Sequence, residues 1–128
     1  MNDHWETYND WLIFSVKENK PNHKPLKFRT KPLKKGEDVY VVGWSYKDTL
    51  GAQRIYEYKY DTTDGIYHQL IQVKGPTSLG GLSGSPVVDK KGEVIGLVTS
   101  GGEDENTKQV LLQATNMKNA MKFISELK

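Results

Sequence analysis

Two apolar runs, Val87-Val88 and Val94-Ile95-Gly96-Leu97-Val98-Thr99, flank Asp89-Lys90-Lys91-Gly92 and the Glu93 that follows. β-branched runs on either side of a short Gly-containing turn specify a β-hairpin, and this is the strongest constraint on the fold. A glycine-rich loop, Gly75 to Gly84, leads straight into the hairpin. Its end reads Gly81-Leu82-Ser83-Gly84-Ser85-Pro86. A serine set between glycines lets two backbone N–H groups approach one oxygen with no Cβ in the way. Proline then stops the turn, and a buried strand starts at once. This local geometry displays a nucleophile beside converging donors.

The rest of the chain carries strand signals of the same kind. Val39 to Trp44 is an apolar strand. Ala52 to Tyr60 alternates Arg54, Tyr56, Tyr58 and Tyr60 against Ile55, Glu57 and Lys59, which fits a twisted, half-exposed strand. Asp61 to Gly65 reads as a turn, with Tyr67 to Val73 as the hairpin partner. Trp11 to Val16 has a buried-strand pattern, the polar stretch from Lys17 to Pro25 is a turn, and Leu26 to Arg29 reads as a short strand. Glu103 to Asn106 is an acidic turn before a strand at Val110 to Ala114. Thr115 or Asn116 is placed to cap a helix running to Lys128. Met117, Ala120, Met121, Ile124 and Leu127 form its apolar stripe, which is core packing and not a cofactor box.

Composition removes several classes. With no cysteine there is no disulfide framework, thiolate metal site or cysteine nucleophile. A formal net charge of +2 gives no argument for nucleic acid or an anionic membrane. The lysines between Lys24 and Lys35 are interrupted by Pro25, Leu26, Phe28 and Pro32, as in a solvated connector. No apolar run approaches the ~20 residues of a membrane span. The Gly75–Gly84 loop lacks the Gly-Lys-Ser/Thr ending of a phosphate loop and precedes a strand, not a helix. His4, His23 and His68 share no ligand-like spacing, so no metal is expected, and no cofactor is implied.

The segment from Gly81 through Val98 resembles the nucleophile segment of chymotrypsin-like serine proteases, in particular bacterial members that carry serine at the position of Ser85. Gly36-Glu37-Asp38-Val39-Tyr40-Val41-Val42-Gly43-Trp44 resembles the opening strand of their second barrel. Asn9-Asp10 with the apolar run Trp11 to Val16 resembles the strand that begins at their catalytic aspartate. Ala114 to Met117 and the helical tail resemble the last strand and closing helix. The resemblance implies an all-β fold: a chymotrypsin-like antiparallel β-barrel with a C-terminal α-helix. The second barrel would be complete over residues 32–128, and residues 1–31 would be a remnant of the first barrel plus the connector.

By resemblance Ser83 is the nucleophile, the Gly81 and Ser83 amides form the oxyanion hole, and Asp10 orients the catalytic histidine. Leu82 departs from the Asp or Asn of many relatives, and its side chain is expected to point away from the hole. Thr77 and Ser78 would form the base of the primary specificity pocket, and Thr99, Ser100 and Gly101 would pair with the substrate. An acid at the pocket base is lacking. Val98 stands where glutamyl-specific relatives carry histidine. The pocket therefore suits small or apolar side chains. None of the three histidines occupies the place of the base, since only nine residues precede Asp10. The expectation is the carboxy-terminal portion of a trypsin-like serine endopeptidase, inactive alone, or a non-catalytic peptide-binding module of the same build. Its partners would be a peptide or protein substrate and the missing amino-terminal barrel segment. Without that segment the exposed remnant would favour self-association.

Overall fold

A computed structural model describes residues 10–17, 23–48 and 54–127. His4, the middle of the polar turn after Val16 and the start of the Ala52 to Tyr60 segment lie outside the described residues. Six strands close into one barrel: β1 (Asp38–Gly43), β2 (Arg54–Thr63), β3 (Tyr67–Lys74), β4 (Pro86–Val88), β5 (Val94–Glu103) and β6 (Val110–Asn116). Around the barrel the order is β1-β2-β3-β6-β5-β4, and every neighbouring pair is antiparallel. The fold is the expected all-β barrel followed by a helix, α1 (Lys118–Glu126).

Alternation sets what enters the barrel. Val39 and Val41 of β1, Tyr56, Tyr58 and Tyr60 of β2, and Leu112 and Ala114 of β6 face inward and are buried. Leu70 sits opposite Tyr60 on one side and Leu112 on the other, so a single interior layer spans three strands. Burial pushes the Tyr58 hydroxyl up to about 12, which keeps it a neutral hydrogen-bonding group in the core.

Four local expectations differ from the structure. β2 continues to Thr63: Thr62 and Thr63 pair with Gln69 and His68 beyond a register shift at Asp61, so the turn is shorter than the polar residues suggested. β5 likewise runs through Glu103, and Asp104 makes the turn by accepting from the Asn106 and Thr107 amides. The helix begins one residue later than expected. Met117 is its N-cap, while the Asn116 side chain accepts from the Lys118 amide and Thr115 is buried in β6.

The fourth difference concerns the amino-terminal segment. Trp11 to Val16 is not in a strand, and Leu12, Phe14 and Val16 are exposed. A strand needs a neighbour for its N–H and C=O groups, and no partner strand is present among the described residues. Trp11 is half-buried near Phe123 of α1, ring centroids 5.8 Å apart. Leu26 to Arg29 is likewise reduced to one parallel bridge, Phe28 to Val94.

Arg29 fastens this connector to the barrel. Its guanidinium pairs with Glu37, just before β1, and reaches Asp89 in the β4–β5 turn at 3.4 Å. Asp89 is buried, and its other carboxylate oxygen accepts from the Lys91 and Glu93 amides at 2.9 Å each.

Candidate active site

The loop between β3 and β4 is built so that some of its amides are used and others are left. The Leu82 amide donates to the Leu79 carbonyl at 3.2 Å, Ser85 to Leu82 at 2.9 Å, and Gly84 across to Val98 of β5 at 2.8 Å. Among the described residues the amides of Gly81 and Ser83 form no backbone hydrogen bond. Leu82 is fully buried in the barrel core and plugs the loop onto it. Exposed Ser83 therefore stands between a buried leucine and a glycine at φ +83°.

Gly81 is required twice over. Its φ of +95° is left-handed, and a Cβ there would lie 2.8 Å from a Tyr46 ring carbon and 3.1 Å from the Trp44 carbonyl. The Tyr46 amide also donates to the Gly80 carbonyl at 2.8 Å. Deeper down, the hydroxyl of fully buried Ser45 donates to the Ser78 carbonyl at 2.7 Å. The Tyr56 hydroxyl receives the Ser45 amide at 3.3 Å and donates to Asp48 at 2.8 Å. Gln72 holds the Pro76 carbonyl at 2.9 Å and the Tyr58 hydroxyl at 3.0 Å. The loop thus rests on a bonded polar floor.

β5 brings Asp10 to the same region. Its register against β6 shifts between Val98 and Ser100, which leaves Thr99 as the extra residue of a bulge. Bulges re-aim side chains, and here the Thr99 hydroxyl donates to the Asp10 carboxylate. Val98 bonds the loop on its other flank, its amide donating to Ser85 at 2.9 Å. Adjacent residues of one strand therefore hold the Ser83 loop and Asp10. The sequence placed Thr99 among substrate-pairing residues and missed its contact with Asp10, since a bulge leaves no mark in residue types.

The other expected site residues are dispersed around this centre. Thr77 is exposed and Ser78 half-buried at the loop's start. The Ser100 hydroxyl donates to Gln113 at 2.9 Å. Gly101 lies under Leu79, whose methyl carbon would be 2.5 Å from a Cβ at that position. Leu79 thus narrows the space between the loop and β5.

The described histidines stand elsewhere. His23 is exposed in the irregular connector. His68 points into the barrel, buried, with its Nδ1 unpartnered. It lines a cavity of about 480 Å³ with Arg29, Lys31 and Met117. Among the described residues no group of His, Asp and Glu could hold a metal ion, and no helix is long and apolar enough to cross a membrane.

The model of the trypsin-like peptidase domain matches residues 2–97 of the 128. The chain belongs to the trypsin-like peptidase family. The match takes in Asp10, the whole of the Ser83 loop and the start of β5, and it stops at Leu97, two residues before the bulge that holds Asp10. No curated protein matches the chain. The closed antiparallel barrel with a helix after its last strand is consistent with the chymotrypsin-like barrel of that family.

Proposed function

We propose that this trypsin-like peptidase domain is the serine-bearing portion of an endopeptidase that cleaves peptide bonds through Ser83. The observation that carries the reading is the pattern of amides around an exposed serine: Leu82, Gly84 and Ser85 are bonded, while among the described residues Gly81 and Ser83 form no backbone bond. Two unspent N–H groups flanking a hydroxyl suit the oxygen of a tetrahedral intermediate. The Ser83 oxygen attacks the peptide carbonyl carbon and its proton passes to a histidine. The carbonyl π electrons move onto the oxygen held by the two amides. Collapse of the intermediate breaks the C–N bond, and the histidine returns its proton to the departing amine. Water then releases the acyl group by the same steps. Asp10, held by Thr99, orients that histidine and balances its charge. Thr77, Ser78, Ser100 and Gly101 border the cleft, and Leu79 over Gly101 favours small side chains there.

Neither His23 nor His68 stands in the base's position and His4 lies outside the described residues, so the base in this reading is a histidine supplied with an amino-terminal barrel segment. That partner would cover Leu12, Phe14, Val16 and Leu26, which are exposed here. The same observation favours a second reading, a non-catalytic peptide-binding module that keeps the cleft.

A fluorophosphonate reagent decides between them. The isolated chain should label at Ser83 no faster than the residual ~10³–10⁴ acceleration of a triad lacking its base allows. Supplying the barrel segment with its histidine should bring rapid labelling that Ser83→Ala abolishes. Continued inertness in the presence of that segment selects the binding module. Rapid labelling of the isolated chain, lost on changing His4, His23 or His68 to alanine, overturns the assignment of the base.

A further inference from the structure

We infer that Tyr46 is a preformed platform for the substrate residue on the leaving-group side of the scissile bond, and that it selects aromatic or large apolar side chains there. The inference rests on the peptide-cleft reading of Ser83 and extends it to a part of the cleft that the sequence did not mark.

Tyr46 is 84% exposed, the most open large apolar or aromatic side chain among the described residues. Its backbone is nevertheless tied to the loop. Its amide donates to the Gly80 carbonyl at 2.8 Å. Its ring lies along the Gly80–Gly81 backbone, with ring carbons 2.8 and 2.9 Å from where a Gly81 Cβ would stand. Ser45, next to it, is turned inward and bonded to Ser78, while Trp44 is turned outward with its indole N–H on the Asp48 carbonyl at 3.0 Å. The ring therefore lies against a residue without a Cβ whose amide, among the described residues, forms no backbone hydrogen bond. An exposed aromatic held rigidly beside a concave site loses little freedom on binding, which is how aromatic anchors gain their strength.

The direction follows from what holds the loop. On one side it is bonded to β5 at Val98, with Leu79 against Gly101. On the other it is bonded to Tyr46. A peptide laid along Thr99 to Gly101 brings its carbonyl to Ser83 and continues past Gly81, away from β5. The next side chains pass over the Tyr46 ring.

The test uses the full chain carrying Ser83→Ala, so that no peptide turns over. Two peptides, acetyl-Ala-Ala-Pro-Ala-Phe-Ala-amide and the same peptide with Gly in place of Phe, are titrated by following amide NMR shifts. The Phe peptide should bind about three- to ten-fold more tightly, the range of an aromatic pair contact. Adding Tyr46→Ala should erase the difference, and Tyr46→Phe should retain it. A third peptide, with Phe moved to the first position and Gly in its place, should be indifferent to Tyr46. Tyr46 is exposed, so Tyr46→Ala should melt at the same temperature as its parent. A Phe advantage that survives Tyr46→Ala, or a third peptide that loses affinity with it, overturns the platform and leaves the cleft reading standing. Failure of every peptide to bind any variant overturns both.

Discussion

A neutral imidazole is what the barrel holds at His68. Burial disfavours its charged form and moves its pKa below the ordinary value, although the Ile95 carbonyl and Asp64 pull the other way. Its ring meets Tyr60 edge-on at 5.7 Å, and Arg29 and Lys31 line the same cavity. The unfolded chain binds this proton near pH 6.5, before the folded chain does. Stability from His68 is therefore complete above that pH and is lost as the pH falls through it, by at most ~1.4 kcal/mol per pH unit. Urea midpoints from pH 8 to pH 5 should show this slope, and His68→Gln should flatten it; an unchanged slope would place the titration elsewhere. Residues differ in how far their type reveals their role. The buried direction of Leu82 could be read, because an apolar side chain beside Ser83 has nowhere else to go. Thr99 could not, because its contact with Asp10 depends on a bulge. Nor could Tyr46, because an exposed aromatic in a turn has no periodic neighbours to declare its face.

At the level of elements, hairpins are the best-marked parts of this chain. β4 and β5 follow from two apolar runs and the Asp89–Gly92 turn, whose glycine adopts a φ of +82°. The far ends of β2 and β5 are poorly marked, because ladder bonds continue where apolar alternation stops. Trp11 to Val16 shows the converse case: strand-like residues without a strand, since propensity expresses itself only when cross-strand neighbours are available. What keeps this segment's connector on the barrel is Arg29. Replacing it with methionine preserves most of the packing but leaves Glu37 with the Lys34 amide and Asp89 with its amide bonds alone. We expect a loss of about 1–2 kcal/mol in urea unfolding. Arg29→Lys should recover less than half, because one ammonium cannot reach the Pro32 carbonyl, Glu37 and Asp89 together. Full recovery by lysine would reduce the clamp to simple charge.

For the whole molecule, the barrel is self-contained and the connector is not. Leu12, Phe14, Val16 and Leu26 line up exposed apolar surface next to a shallow hydrophobic cavity of about 390 Å³ between the connector and α1. Surface of this kind drives association when nothing covers it. Sedimentation of the isolated chain should give a weight-average mass above 14.5 kDa that rises with concentration. Leu12→Ser with Phe14→Ser should return it to the monomer value, and a monomer at all concentrations in the unaltered chain would show this surface to be inert. The barrel's own closure has a different bearing. β4 is three residues long, meets β1 at Tyr40–Val88 and Val41–Val87, and begins three positions after Ser83. This short latch shuts the cylinder, and just before it Gly84 and Ser85 are tethered to Val98 of β5. A nascent chain that ends at Ser85 has every atom of Ser83 and its polar floor but lacks the strand that holds the loop's far end. The setting of Ser83 is thus completed only after strands well downstream of it have been made and paired.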